Sequence, residues 1–108
     1  MGEALRHTVL LGFVEGTDGA HIDAIVAALR ALPSRVATLD AIEVERDLAI
    51  DSRSSHLIIR ADFGSVADWQ AYQDHPAHQE VIRELIAPVL ASRASVQHAL
   101  PDGLTPAE

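Results

Sequence analysis

Two stretches of this chain are apolar on both of their alternating faces, and this restricts the fold more than any other feature. From Arg6 to Val14, His7, Val9, Leu11 and Phe13 alternate with Thr8, Leu10, Gly12 and Val14. From Ser55 to Phe63, Leu57, Ile59, Ala61 and Phe63 alternate with His56, Ile58, Arg60 and Asp62. A two-residue period in branched residues predicts strands. A strand apolar on both sides belongs in the middle of a sheet that is covered on both faces. A further strand over about Leu39 to Leu48 sets Ile42, Val44 and Leu48 against Glu43 and Glu45, a half-exposed pattern suited to a position near an edge. Ser92 to Leu100 forms the last strand, with Val96, His98 and Leu100 on one face.

Helical periods fill the gaps. Thr17 or Asp18 can cap a helix with the stripe Ile22, Ile25, Val26, Leu29 and Leu32, ending at Pro33. Ser65 and Asp68 make a capping-box-like start for a second helix carrying Trp69 and Tyr72. His75-Pro76 restarts that helix, because proline suits the first helical position. Val81, Ile82, Leu85, Ile86 and Val89 then form another stripe, which Pro88 ends or kinks. The order β-α-β-β-α-β with a broken second helix predicts an α+β, ferredoxin-like fold of strand order 4-1-3-2. Helices cover one face of such a sheet. No spare element covers the other, so a second copy packed sheet to sheet, a two-fold homodimer, is expected. The 108 residues suit one domain, with its core at about 6–100 and a turn-rich tail at 101–108 expected to fray.

Composition removes whole classes of function. Cysteine is absent, which excludes disulfides, zinc-thiolate sites, iron–sulfur clusters and a cysteine nucleophile. Lysine is absent too, which excludes a Schiff-base lysine and a Walker-type phosphate lysine. The eight basic residues are all arginine, spread singly through a chain of net charge −8. That pattern offers no footprint for nucleic acid or for an anionic membrane. The N-terminus lacks a signal-peptide shape, and the expected location is cytoplasmic.

Six histidines stand out in so short a chain. Taking the first and third strands as parallel neighbours puts His7 and His56 at one end of the sheet, and His98 reaches that end on the last strand. They either converge on one rim or are unrelated strand-end histidines. In His75-Pro76-Ala77-His78, His78 falls in the first turn of a helix, where the dipole disfavours an imidazolium. A neutral imidazole can take or hand over a proton near pH 7, and the nearby Tyr72 phenol could donate to a developing oxyanion. The alternative is capping by His75 and core packing by Tyr72 and Trp69. His75, His78 and Asp74 could also supply metal ligands, but no third strong ligand is assigned at the usual spacing, and no metal site is expected.

The first-strand run His7-Thr8-Val9-Leu10-Leu11-Gly12-Phe13, the Ser54-Ser55-His56-Leu57-Ile58-Ile59 strand and, above all, Tyr72-Gln73-Asp74-His75-Pro76-Ala77-His78 resemble the stress-responsive dimeric A/B barrel (Dabb) family. The resemblance runs from about Arg6 to Leu100. It implies a ferredoxin-like homodimer whose two sheets close into an α/β barrel. Some members of the family are only stress-induced proteins; others, the olivetolic acid cyclase-like polyketide cyclases and a plant hydroxynitrile lyase, are cofactor-free enzymes. Similarity to those cyclases at His7, His56, Tyr72 and His78 implies acid–base chemistry on a small carbonyl or polyketide-like ligand. His78 would then be the general base and Tyr72 the oxyanion donor, with His7 and His56 orienting the substrate. Apolar walls are expected from Ile25, Val26, Leu29, Trp69, Ile82 and Leu85. Where the cyclases carry a pocket tyrosine on the first helix, this chain has Ile25. A non-catalytic ligand-binding or stress-response barrel and a cofactor-free monooxygenase are the alternatives.

Overall fold

The computed structural model describes residues 3–100; the tail at 101–108 lies outside them. Strand β1 (Leu5–Phe13) leads through a turn at Gly16, whose φ of +87° suits glycine, into helix α1 (Gly19–Arg30). Asp18 is the cap, accepting from the amides of Ala20 and His21. A short turn of 3-10 helix at Leu32–Ser34 holds Pro33. Strand β2 (Ala41–Arg46) and strand β3 (Leu57–Phe63) follow, then helix α2 (Val66–Asp74), capped by Ser65 through the amide of Asp68. Helix α3 (Pro76–Val81) continues into a π turn at Ile82–Ile86 and a 3-10 turn at Ala87–Val89 that contains Pro88. Strand β4 (Leu90–Ala99) closes the sheet.

The sheet order is β2-β3-β1-β4, the order expected, with β1 in the centre and β2 at an edge. Every pairing is antiparallel. That corrects the parallel relation expected for the first and third strands. The α1 crossover makes β1 and β2 point the same way, and β3 reverses from β2, so β3 must oppose β1. Leu48, expected on the apolar side of the second strand, instead lies past the end of β2 and is 83% exposed.

The core lies between the helices and one sheet face. Leu5, Val9, Leu11 and Phe13 from β1 and Leu57, Ile59 and Phe63 from β3 meet Ile25, Leu29 and Tyr72. Phe63 is fully buried and packs on the Tyr72 ring with centroids 5.1 Å apart. The helices cover β1 and β3 but stop short of β4, whose residues from Ala91 to Ala99 are all exposed. On the opposite face, Leu10 and Val96 stand 39% and 57% exposed beside half-buried Ile58. At that face's rim, Arg6 grips the buried Asp62 carboxylate with two bonds of 2.7 and 2.9 Å. Gly12 sits at the register shift between β1 and β4, where a Cβ would collide with the Ser92 hydroxyl. Among the described residues, no helix is long and apolar enough to cross a membrane.

Phe63→Ala should therefore cost about 3–5 kcal/mol through lost burial and an unfilled cavity, whereas Leu48→Ala should change stability by less than about 0.5 kcal/mol. Urea unfolding at one fixed protein concentration checks both.

Candidate active site

The sheet is wider than the helical layer above it, and a cavity of about 330 Å³ opens where β4 is left uncovered. Its apolar wall includes Leu11, Leu29, Ile59, Ile82, Ile86 and Leu90. Its polar groups are His7, Tyr72 and His78, with Gln73, Asp74, Gln79 and Arg93. An apolar pocket with a few convergent polar groups is the usual form of a small-molecule site.

Tyr72 and His78 are six residues apart. On one continuous helix they would point roughly 120° apart. The chain breaks at His75, which adopts an extended backbone, and Pro76 starts α3 in a new direction. The two rings now lie face to face at a tilt of 37°, with centroids 4.1 Å apart. His75 itself makes the break possible: its Nδ1 accepts from the amide of Ala77 at 3.0 Å and caps α3. This is the capping role held open for it above. Among the described residues, no three histidine or carboxylate side chains are grouped to hold a metal ion.

Burial controls the protonation of this pair. Tyr72 is 2% exposed and burial pushes its phenol well above the ordinary value, so the hydroxyl keeps its proton. Its hydroxyl makes no hydrogen bond among the described residues. Burial also pushes the His78 imidazole below its ordinary value. The Gln73 carbonyl opposes this, while the charges of His7, Arg93 and His75 add to it. Burial, not the helix dipole invoked from the sequence, is thus the main cause. His78 Nδ1–H donates to the Gln73 carbonyl at 3.4 Å, which leaves the Nε2 lone pair as the basic site. His7 follows the same logic. Burial lowers its pKa, Arg93 lowers it further, and its Nδ1–H donates to Gln97 Oε1, a bond that opposes the shift.

The remaining expected residues fall differently. His56 is at the far end of the sheet from His7, because β1 and β3 are antiparallel. It stacks on Phe13 at 5.6 Å, and its Nδ1 accepts from the Phe13 amide at 2.8 Å. This is a fold-closing contact outside the cavity, which corrects the shared rim. His98 does lie at the His7 end, opposite Arg6, but on the other sheet face. Leu29 and Ile82 line the cavity. Ile25 and Val26 are buried in the core and do not line it. Trp69 backs His7 edge to face at 6.0 Å, and Leu85 packs half-buried on the core while its carbonyl accepts from His21 Nε2–H at 2.7 Å. Gln97 and Arg93 went unnoticed in the sequence. The antiparallel relation of the last strand to the first does not by itself fix the register, which sets Gln97 directly across from His7.

Comparison with known proteins matches residues 5–98 to the Stress responsive A/B Barrel Domain. A dimeric ferredoxin-like protein of unknown function from Thermobifida fusca shares 30% identity over 93% of both chains, with a TM-score of 0.82. The hydroxynitrile lyase from Passiflora edulis shares 18% identity over 97% of this chain and all of that one (100%), with a TM-score of 0.80. A Dabb family protein with a ferredoxin-like fold from Mesorhizobium loti shares 19% identity over 94% and 99% of the two chains, with a TM-score of 0.76. None of the curated proteins matches the chain at a significant level.

The lowered histidines carry a sign for stability. In the unfolded chain an imidazole charges below about pH 6.5, whereas His7 and His78 resist charging in the fold. The unfolded chain therefore binds more protons in that window. Their contribution is complete above the unfolded value and is lost as pH falls through the lowered folded values. Urea unfolding should show stability dropping from about pH 7 to about pH 5, with a shallower drop in His78→Asn. An unaltered drop in that variant would contradict the burial argument.

Proposed function

The chain belongs to the stress responsive A/B barrel family, and on that footing we propose that its cavity performs cofactor-free acid–base chemistry on a small carbonyl compound. The observation that carries the reading is the Tyr72–His78 pair, rings 4.1 Å apart on the cavity wall. One member is kept protonated and the other neutral by the same burial. Groups whose environments push their pKa values apart divide naturally into acid and base.

In the proposed step, His78 Nε2 removes the proton from the carbon next to a carbonyl. The C–H electron pair becomes the enolate C=C bond, and Tyr72 O–H donates to the oxygen on which the charge gathers. The enolate carbon then attacks a second carbonyl of the same molecule, forming a C–C bond. The imidazolium of His78 returns its proton to the new alkoxide, giving an aldol-type cyclisation; the reverse order is a lyase reaction. His7, fixed by Gln97 and backed by Trp69, orients the substrate. The Passiflora protein's lyase activity supports chemistry of this kind on the same fold. We assign His56 no part in the step.

The proposal includes a homodimer through the uncovered sheet face. Leu10, Ile58 and Val96 form its apolar part, and the Thermobifida fusca relative is dimeric.

With a diketone or poly-β-keto substrate that turns over, His78→Ala and Tyr72→Phe should each lower kcat by about 10²–10³-fold, while His56→Ala leaves kcat within about twofold. Wild-type turnover in His78→Ala overturns the assignment, and a stable barrel that binds such compounds without turnover favours the non-catalytic reading. Leu10→Arg should convert a dimer into a monomer in light scattering, since it buries an unpaired charge in the interface.

A further inference from the structure

Among the described residues six of the eight arginines pair with a carboxylate, and one of the two exceptions lies at the cavity. Of the eight arginines, Arg6, Arg30, Arg35, Arg46, Arg53 and Arg60 each hold a carboxylate within 4 Å. Among the described residues, Arg83 and Arg93 hold none. Arg83 is exposed on the π turn, away from the cavity wall. Arg93 is part of that wall, and among the described residues its guanidinium makes one bond, from Nη1 to Ser95 Oγ at 3.3 Å. Most of its donors are left over for a ligand. In so acidic a chain, it is conspicuous that none of the described carboxylates pairs with this cation.

We infer that the cavity takes a carbonyl compound that also carries a carboxylate, and that Arg93 holds that carboxylate while the carbonyl lies at Tyr72 and His78. The inference rests on the reading of the cavity as a site of carbonyl chemistry and names its substrate class. The strand register supports it, and the electrostatics agree. Arg93 stands opposite Leu11 on β4, on the helix-side face that also presents Gln97 to His7. Its charge is near enough to lower the pKa of both His7 and His78. The other charged group of the wall, Asp74, is exposed at the end of α2, where its carboxylate accepts from Gln70 Nε2 at 3.4 Å. A bound anion therefore sits toward β4 and away from α2. Guanidinium is suited to the task, because its planar fork matches a carboxylate with two parallel bonds. A bound carboxylate would also offset the Arg93 charge felt by His78, making the base stronger once substrate is in place.

The test compares two probes, 3-benzoylpropionate and its methyl ester, which share a ketone and an aromatic tail and differ in charge. Binding is measured by calorimetry and by amide shifts along residues 72–78. The acid should bind wild type about tenfold more tightly than the ester, a preference that shrinks as salt rises from about 20 mM to about 500 mM. Arg93→Gln should bind the two alike, with ester affinity unchanged. Arg93→Lys should restore part of the preference. His78→Asn should keep it, because the anion is read by Arg93. Equal binding to wild type, or a preference that survives Arg93→Gln, overturns the inference and leaves the Tyr72–His78 chemistry standing. Failure of both probes to shift residues 72–78 removes the inference together with the reading beneath it. Arg93 lies on an exposed strand, so Arg93→Gln should melt like wild type; the salt dependence tests the same point on the unaltered chain.

Discussion

The antiparallel pairing of β1 with both neighbours governs everything else in this molecule. As the central strand, β1 contributes Val9, Leu11 and Phe13 to the core on one face and Thr8 and Leu10 to the uncovered face. Its register with β4 sets Gln97 across from His7 and Arg93 across from Leu11. Its register with β3 sends His56 to the other end of the sheet. A slip by one residue would turn each of these side chains to the opposite face. The apolar alternation of β1 and β3 makes such a slip costly, because it would take Leu57, Ile59 and Phe63 out of the core.

The cavity is a consequence of unequal layers. Four strands lie under a helical layer that covers β1 and β3 but not β4, so one side of the sheet has no lid of its own. Residues that elsewhere would be core become cavity wall: Ile59 and Leu29 are buried and line the opening at once. The same enclosure supplies the chemistry. Burial keeps the phenol protonated and favours the neutral imidazole, and the nearby Arg93 charge adds to the second effect. Buried ionisable groups of this kind lower stability, which is the ordinary cost of a preorganised site.

Much of this was legible in the sequence, and the limits were physical. The elements and their order followed from periodicity, since a two-residue and a 3.6-residue period are set by backbone geometry and survive most contexts. The helix break at His75-Pro76 was visible because proline at a first helical position has a mechanism. Strand direction was misjudged, although the crossover connections determine it, and His56 was consequently placed at the wrong end. Ile25 and Val26 lie on the correct stripe of α1, but a stripe spans more than one wall; only the packed structure separates the core-facing side from the cavity-facing side. Arg93 and Gln97 are not legible because β4 is exposed from Ala91 to Ala99, and nothing in an exposed pattern distinguishes a solvated residue from one that overlooks an opening.

The interrupted helix at residues 72–78 has an evolutionary consequence. Tyr72 and His78 share a wall because an extended residue resets the helical phase between them. Their relation depends on the number of residues in the segment as well as on their kind. Adding or removing one residue would turn His78 by about 100° and carry it off the wall, while Gln73, Asp74 and Ala77 could change with the spacing intact. Descendants of this chain are therefore free to vary composition here far more than length. Insertions and deletions, which loops elsewhere tolerate, should be purged from these seven positions.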